Sequence, residues 1–351
     1  MKDRSRTRAA VSRSFRSVLA MLLLAGTAVA GDASATTYRV VVLPVPEGAS
    51  GRAVDINTAG EVAGVVYLRN RRGYAVTWSP PDYAMRILPS GDGSQTFVLR
   101  ISDGGDVIGT VNFQNASRVS VMWKSDGSFV RMATRGGDPS MTDINAQGIV
   151  VGGNDGPDGI DRPIVWTTPQ AFRTLVTPSY RSASAVNDSG VIVGGPVAVT
   201  QVPHHAFRWT LNDGYKDIGD LPGGLDSSAA NDINNSGQVL GVGNSDLGQR
   251  AVVWDADGSM HDLGDLPGST AYYPFRINNL GDVIGQTTNG VQWLWTASTG
   301  MMPIDSLIDP DDPLYGAGFF GLHGINDAGV LAAELDVSGE PSLAILLVPQ
   351  P

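Results

Sequence analysis

Beyond residue 35, short runs of aliphatic and small residues alternate with clusters of Gly, Asn and Asp, and no apolar stripe follows a 3.6-residue period. Several runs alternate strictly. In Ala206-Phe207-Arg208-Trp209, Phe207 and Trp209 fall on one side of an extended chain and Arg208 on the other. This patterning predicts many short strands joined by tight turns, with helix a minor component.

The pattern recurs with a steady period. A segment of the form Ile-Asn-x-x-Gly-x-Val-x-Gly appears as INTAGEVAG (56–64), ISDGGDVIG (101–109), INAQGIVVG (144–152), VNDSGVIVG (186–194), INNSGQVLG (233–241), INNLGDVIG (277–285) and INDAGVLAA (325–333). Its landmarks are Asn57, Asn145, Asn187, Asn234, Asn278 and Asn326, with Ser102 in the second unit, and they lie 42 to 48 residues apart. A second series keeps step. Trp78, Trp123, Trp166, Trp209, Trp254 and Trp295 follow their turns by 17 to 22 residues.

Each unit reads as four strands. The first is a run of small and apolar residues such as SSAANDI (227–233). Asn-x-x-Gly then makes a tight turn, because Asn caps turn geometry with its side chain and Gly accepts a positive φ. Val-x-Gly forms the second strand and the Ala-Phe-x-Trp type segment the third. An Asp-Gly hairpin turn leads into a fourth strand such as Tyr215-Lys216-Asp217-Ile218. Four antiparallel strands per unit in seven units predict an all-β, seven-bladed β-propeller. The seventh unit supplies SLAILLV (342–348) as its third strand and then ends, with Ile345 expected at the Trp position. TYRVVVLP (37–44) precedes the first turn and is the candidate for the missing fourth strand, so the N-terminal strand should close the ring.

In units four and five the sequence resembles the HAF-repeat family of extracellular bacterial proteins. The resemblance is carried by His205-Ala206-Phe207-Arg208-Trp209, by Asp217-Ile218-Gly219-Asp220-Leu221-Pro222-Gly223-Gly224, and by Ala230, Ile233-Asn234, Gly237, Val239 and Gly241. It implies an exported repeat protein and transfers no activity. Some relatives end in a Val-Pro-Glu-Pro sorting tail with a membrane segment, which the LLVPQP ending does not match.

Charge and the first residues set the compartment. Residues 1–35 combine a basic start with a 13-residue apolar run, VLAMLLLAGTAVA (18–30), ending in small residues. A membrane-spanning helix needs about 20 residues. The expectation is a signal peptide over 1–35, cut after Ala30 or Ala35, with an uncleaved anchor as the alternative. Residues 36–351 then form one propeller domain, secreted to the periplasm or the exterior, with no further membrane span. The whole chain carries a net charge of −11, and loss of the basic leader leaves the remainder more acidic. Such a surface repels phosphate backbones, so nucleic acid is not an expected partner. There is no cysteine, hence no disulfide, thiolate ligand or thiol nucleophile.

Candidate chemistry is sparse. His205 stands four residues before Trp209, where the other units carry Tyr74, Val119, Arg162, Arg250 and Val291, which suggests a position near solvent at the start of a strand. His204 beside it should point to the opposite side, so the two do not share a metal. Asp155, Asp158 and Asp161 form an acidic connection that leaves calcium open, without the spacing of a known calcium loop. No other cofactor or metal is expected. The in-register Trp residues argue for packing between blades; Trp293 fits core or surface.

Connections opposite the Asn turns vary most in length and chemistry, and variable loops on a rigid scaffold commonly carry binding. The candidate binding residues are therefore Arg69, Arg71, Arg72, Asp155, Asp158, Asp161, His204, His205, Asp311, Asp312, Tyr315 and Phe319. No catalytic group stands out. The expectation is a secreted, monomeric, non-enzymatic binding module for an extracellular protein or carbohydrate. The alternatives are an exported polysaccharide lyase or hydrolase and a structural surface component.

Overall fold

The Asn-x-x-Gly segments close as one kind of turn. In the first, the Gly60 amide donates to the Asn57 carbonyl at 2.9 Å and the Asn57 amide to the Glu61 carbonyl at 3.0 Å. Gly60 sits at φ +80°, a conformation that an L side chain resists. The turn joins an inner strand, Ser50–Ile56, to Val62–Tyr67, and the chain continues outward through Gly73–Ser79 and Ala84–Ile87. The same plan recurs along the computed structural model, which describes residues 36–69, 72–91, 95–113, 118–134, 140–155, 161–178, 181–196 and 204–350.

Among the described residues the strands form seven antiparallel four-stranded sheets, so the protein is a seven-bladed β-propeller. The remaining inner strands are Gln95–Ile101, Ser140–Ile144, Arg181–Val186, Ser228–Ile233, Tyr272–Ile277 and Phe319–Ile325. Tyr38–Val42 pairs antiparallel with Leu343–Pro349 and is the outer strand of blade seven. The ring is therefore closed by both ends of the described chain. Asp312 fixes the closing strand, its Oδ2 accepting the Val40 amide at 2.9 Å.

A β-bulge interrupts every inner strand at the same place, leaving Val54, Leu99, Thr142, Ser184, Asn231, Phe275 and His323 as the extra residues. A bulge adds twist and re-aims the side chain beside it. Here Asp55, Asp143 and Asp232, each the residue after its bulge, are turned toward the next blade.

The core lies between blades, in clusters that each draw on two successive sheets. Trp78 packs with Ala332, Ala344 and Leu346 of blade seven, and Trp123 with Ala63, Val65 and Ala75 of blade one. The indoles of Trp78, Trp123 and Trp166 also donate backward, to the carbonyls of Pro44, Pro89 and Ala133. The expected packing role of the Trp series holds. Its sixth member departs: Trp295 keeps the register opposite Val283 but is half-buried, while Trp293 is fully buried over Gly285. In blade seven the register places Leu347, not Ile345, opposite Leu331 at the Trp position.

Candidate functional site

The Asn side chains serve two blades at once. Within its turn, each Oδ1 accepts the amide four residues on, as Asn187 does from Val191 at 3.0 Å. Each Nδ2 then crosses to the Asn-position carbonyl of the next blade. Asn145 donates to Asn187, Asn187 to Asn234, Asn234 to Asn278, Asn278 to Asn326, and Asn326 to Asn57 across the closing seam, all at 3.0 to 3.2 Å. Asn57 continues to the carbonyl of Ser102 at 3.1 Å. Ser102 Oγ reproduces the turn bond, accepting the Asp106 amide at 3.1 Å, but has no amide with which to reach Asn145.

A second tier uses the next residue of each turn. Asp103 accepts the Thr58 amide, Asp188 that of Ala146, Asn235 that of Asp188, Asn279 that of Asn235, and Asp327 that of Asn279. Ala146 has no acceptor side chain to offer Asp103. Both tiers are thus interrupted at the junction of blades two and three, and among the described residues the second also lapses at the closing seam, between Asp327 and Thr58.

Beneath these tiers lies a depression of about 140 Å³ on the propeller axis, open on the face of the Asn turns. Its walls include the residue after the bulge in five of the seven blades: Asp55, Arg100, Asp143, Asp232 and Arg276. The three carboxylates hold the next blade, Asp55 accepting the Ile101 amide at 3.0 Å, Asp143 that of Val186 at 2.8 Å and Asp232 that of Ile277 at 3.0 Å. Arg100 is only 5% exposed and stands between them. Its Nε lies 3.2 Å from Asp143 Oδ1 and its Nη2 3.9 Å from Asp232 Oδ1. These are ion-pair distances without hydrogen-bond alignment, and the buried Nε has no hydrogen-bond partner among the described residues.

Burial dominates the electrostatics. It pushes Asp143 up to about 6 and Asp232 up to about 7, against the opposing pull of Arg100 and of the main-chain amides. Asp55 is raised for the same reason. Burial works against the charge of Arg100, but Asp143, Asp55 and Asp232 outweigh it and hold the guanidinium protonated.

The residues singled out from sequence lie elsewhere. His204 and His205 precede the third strand of blade four, which starts at Phe207, so they do not occupy opposite sides of that strand. The His204 carbonyl accepts the Ser228 amide of blade five. His205 places Nδ1 3.0 Å from Asp217 and Nε2 2.6 Å from Asp226, more engaged than a solvent-facing strand start requires. Partial burial disfavours its charge, yet the bonds to Asp226 and Asp217 prevail and raise its pKa.

Arg69 and Arg72 are exposed. Asp155 and Asp161 pair through their backbones, and Arg71 and Asp158 lie outside the described residues, as do residues 1–35. Asp312 is structural; Asp311, Tyr315 and Phe319 are exposed, while Phe320 is buried. No group of three or more His, Asp or Glu side chains among the described residues is arranged to hold a metal ion.

Sequence reasoning missed Asp55, Arg100, Asp143 and Asp232. The signal was present in the residue two before the landmark, which runs Asp55, Arg100, Asp143, Ala185, Asp232, Arg276, Gly324. Charged residues recurring in one repeat slot, with both signs, mark a shared location.

No family model matches the chain, and no curated protein matches it. Solved structures do. The acylaminoacyl peptidase of Pyrococcus horikoshii is 13% identical over 86% of this chain and 52% of its own, with a TM-score of 0.57. This chain spans about half of that peptidase. An oligogalacturonate lyase in complex with manganese is 10% identical over 90% of this chain and 97% of its own, with a TM-score of 0.54. TolB from Acinetobacter baumannii is 11% identical over 73% of this chain and 63% of its own, with a TM-score of 0.46. At these identities the likeness is one of fold.

Proposed function

We propose that the protein is an exported, non-catalytic binding propeller of the HAF-repeat kind, which holds its ligand at the axis on the face of the Asn turns. One observation carries this reading. Around a rim of Asn side chains committed to neighbouring blades, the buried Nε atoms of Arg100 and Arg276 have no hydrogen bond at the depression among the described residues. Leaving a buried donor unpaired costs about 1–3 kcal/mol, a burden that a scaffold built for stability alone would shed.

The non-catalytic part rests on how the acids are used. Asp55, Asp143 and Asp232 each bind a main-chain amide of the next blade, which suits fixed recognition better than proton transfer with changing partners. Export rests on the basic and apolar leader and on the cysteine-free, acidic composition. No helix of the described residues is long and apolar enough to cross a membrane.

The test is a thermal-shift screen of the purified protein against glycans, peptides and divalent ions, with product analysis of every sample. A ligand at a hundredfold excess over Kd adds about 2.7 kcal/mol to native stability and raises Tm. The reading expects such a shift, lost in Arg100→Lys, without new products. Turnover of any panel member contradicts it.

A further inference from the structure

Three departures from the repeat at the axis coincide. Ser102 ends the Asn tier, Ala146 ends the tier above it, and Arg100 takes a slot filled by Asp in blades one, three and five. All three fall at the junction of blades two and three. There the Asn145 carbonyl lacks the cross-blade amide that its counterparts receive, and the Arg100 guanidinium faces the carboxylates of Asp143 and Asp232. Gly104 lets the blade-two turn settle against the Ala146 carbonyl, where a Cβ would come within 2.8 Å, so backbone contact replaces the missing side-chain ties. The Asn tier is broken at this one point, over the depression.

The chemistry at that point alternates. A guanidinium offers N–H donors in a flat fork, and carboxylates on either side offer acceptors. A bare anion would meet Asp55, Asp143 and Asp232; a bare cation would meet Arg100 and Arg276. A hydroxyl donates and accepts at once and suits both neighbours, and two adjacent hydroxyls match the spacing of the fork. A depression of about 140 Å³ is of the size of a single sugar ring, and its open side lets the rest of a chain run out over the rim.

We propose that this junction binds the end residue of a neutral saccharide, with Arg100 donating to two adjacent hydroxyl oxygens and Asp143 and Asp232 accepting from the same hydroxyls. The assignment rests on the binding reading above and names its ligand class.

The experiment is calorimetric titration of the purified protein with neutral cello-, malto- and xylo-oligosaccharides, with digalacturonate and a chitosan dimer as charged counterparts. At least one neutral series should bind, and more tightly than either charged sugar. Arg100→Lys keeps the charge that balances the buried acids but loses the fork, and should weaken binding at least tenfold. Ala146→Tyr crowds the rim without touching a buried charge and should do the same. Circular dichroism and Tm establish that both variants fold, and Leu211→Ser, at an exposed outer hairpin, should bind as the parent does.

Several results overturn the proposal. One is absence of binding by every neutral series at millimolar concentration; another is preference for a charged sugar. A third is neutral-sugar binding that stays within twofold in both Arg100→Lys and Ala146→Tyr. A peptide or divalent ion that binds in an Arg100-dependent way overturns the saccharide assignment and leaves the axial binding reading standing. Turnover of a sugar overturns the binding reading itself.

Discussion

The side-chain amide of Asn187 donates to the main-chain carbonyl of Asn234, 47 residues further along, at 3.1 Å. One side chain thereby shapes its own turn and ties its blade to the next. Asn187→Ala removes both functions from a buried position and should lower stability by about 2–3 kcal/mol. Ser102→Asn should do the reverse, completing the tier at its one interruption and adding about 1 kcal/mol. Urea unfolding, read as a shift of midpoint at unchanged slope, measures both. A neutral Asn187→Ala would show that the tier does not hold the blades.

Asp232 gives the axis a pH dependence of definite sign. Its folded-state pKa of about 7 lies above the usual carboxylate value of 3.8, because burial penalises the charge. The folded state therefore holds the proton more tightly than the unfolded chain. The stabilising contribution is present below pH ~4 and is lost as pH rises toward ~7. Asp232→Asn removes this titration while keeping an oxygen for the Ile277 amide. Over that interval the parent should lose stability relative to the variant, on the order of 3 kcal/mol by the per-unit conversion. Equal slopes of Tm against pH for the two proteins would contradict the raised pKa.

His205 titrates at the link between blades four and five. Hydrogen bonds to Asp226 and Asp217 raise its pKa above the ordinary 6.5 despite the opposing effect of partial burial. Its contribution is fully present below pH ~6.5 and fades as pH climbs through the raised value. His205→Gln should lower Tm most at pH 5.5 and much less at pH 9. A Tm difference independent of pH would mean that the imidazolium is not what holds the link.

Gly109 stands where the second strand of blade two passes its inner strand and the Trp123 ring. An added Cβ would lie 2.0 Å from the Phe97 carbonyl oxygen and 2.7 Å from that ring. Neither group can yield without moving a buried strand or a fully packed indole. Gly109→Ala should destabilise by about 3 kcal/mol or more through overpacking. Gly300→Ala, where a Cβ meets nothing within 4 Å but φ is +66°, should show the smaller effect of backbone strain alone. Denaturant midpoints of the two variants decide between crowding and φ as the cause.

The fold was legible because its determinants are local and repeated. Asn57 and its counterparts make the same turn in each unit, Trp78 and its counterparts fill the same inter-blade space, and TYRVVVLP supplies the strand that the seventh unit lacks. Legibility fell off where the outcome depends on register or on other blades. Leu347 rather than Ile345 faces Leu331 because pairing is set by the preceding hairpin, and Trp293 displaces Trp295 because it lies directly over Gly285. The axial charges were hidden for a different reason. Asp55, Arg100, Asp143 and Asp232 come from four units, and only closure of the ring brings them together. Each on its own reads as the polar end of a strand. The bulge that turns them inward leaves no mark in composition. Variable loops drew attention to the opposite face, where length differences are visible in a sequence and convergence of charge is not.

The placement of binding at the axis is best tested by hydrogen–deuterium exchange of the purified protein with and without a saturating neutral oligosaccharide. Binding at the axis should slow exchange in residues 100–106 and 143–149, flanking the junction of blades two and three, and leave the outer strands unchanged. Protection confined to residues 204–206 or 309–320, on the opposite face, would contradict it.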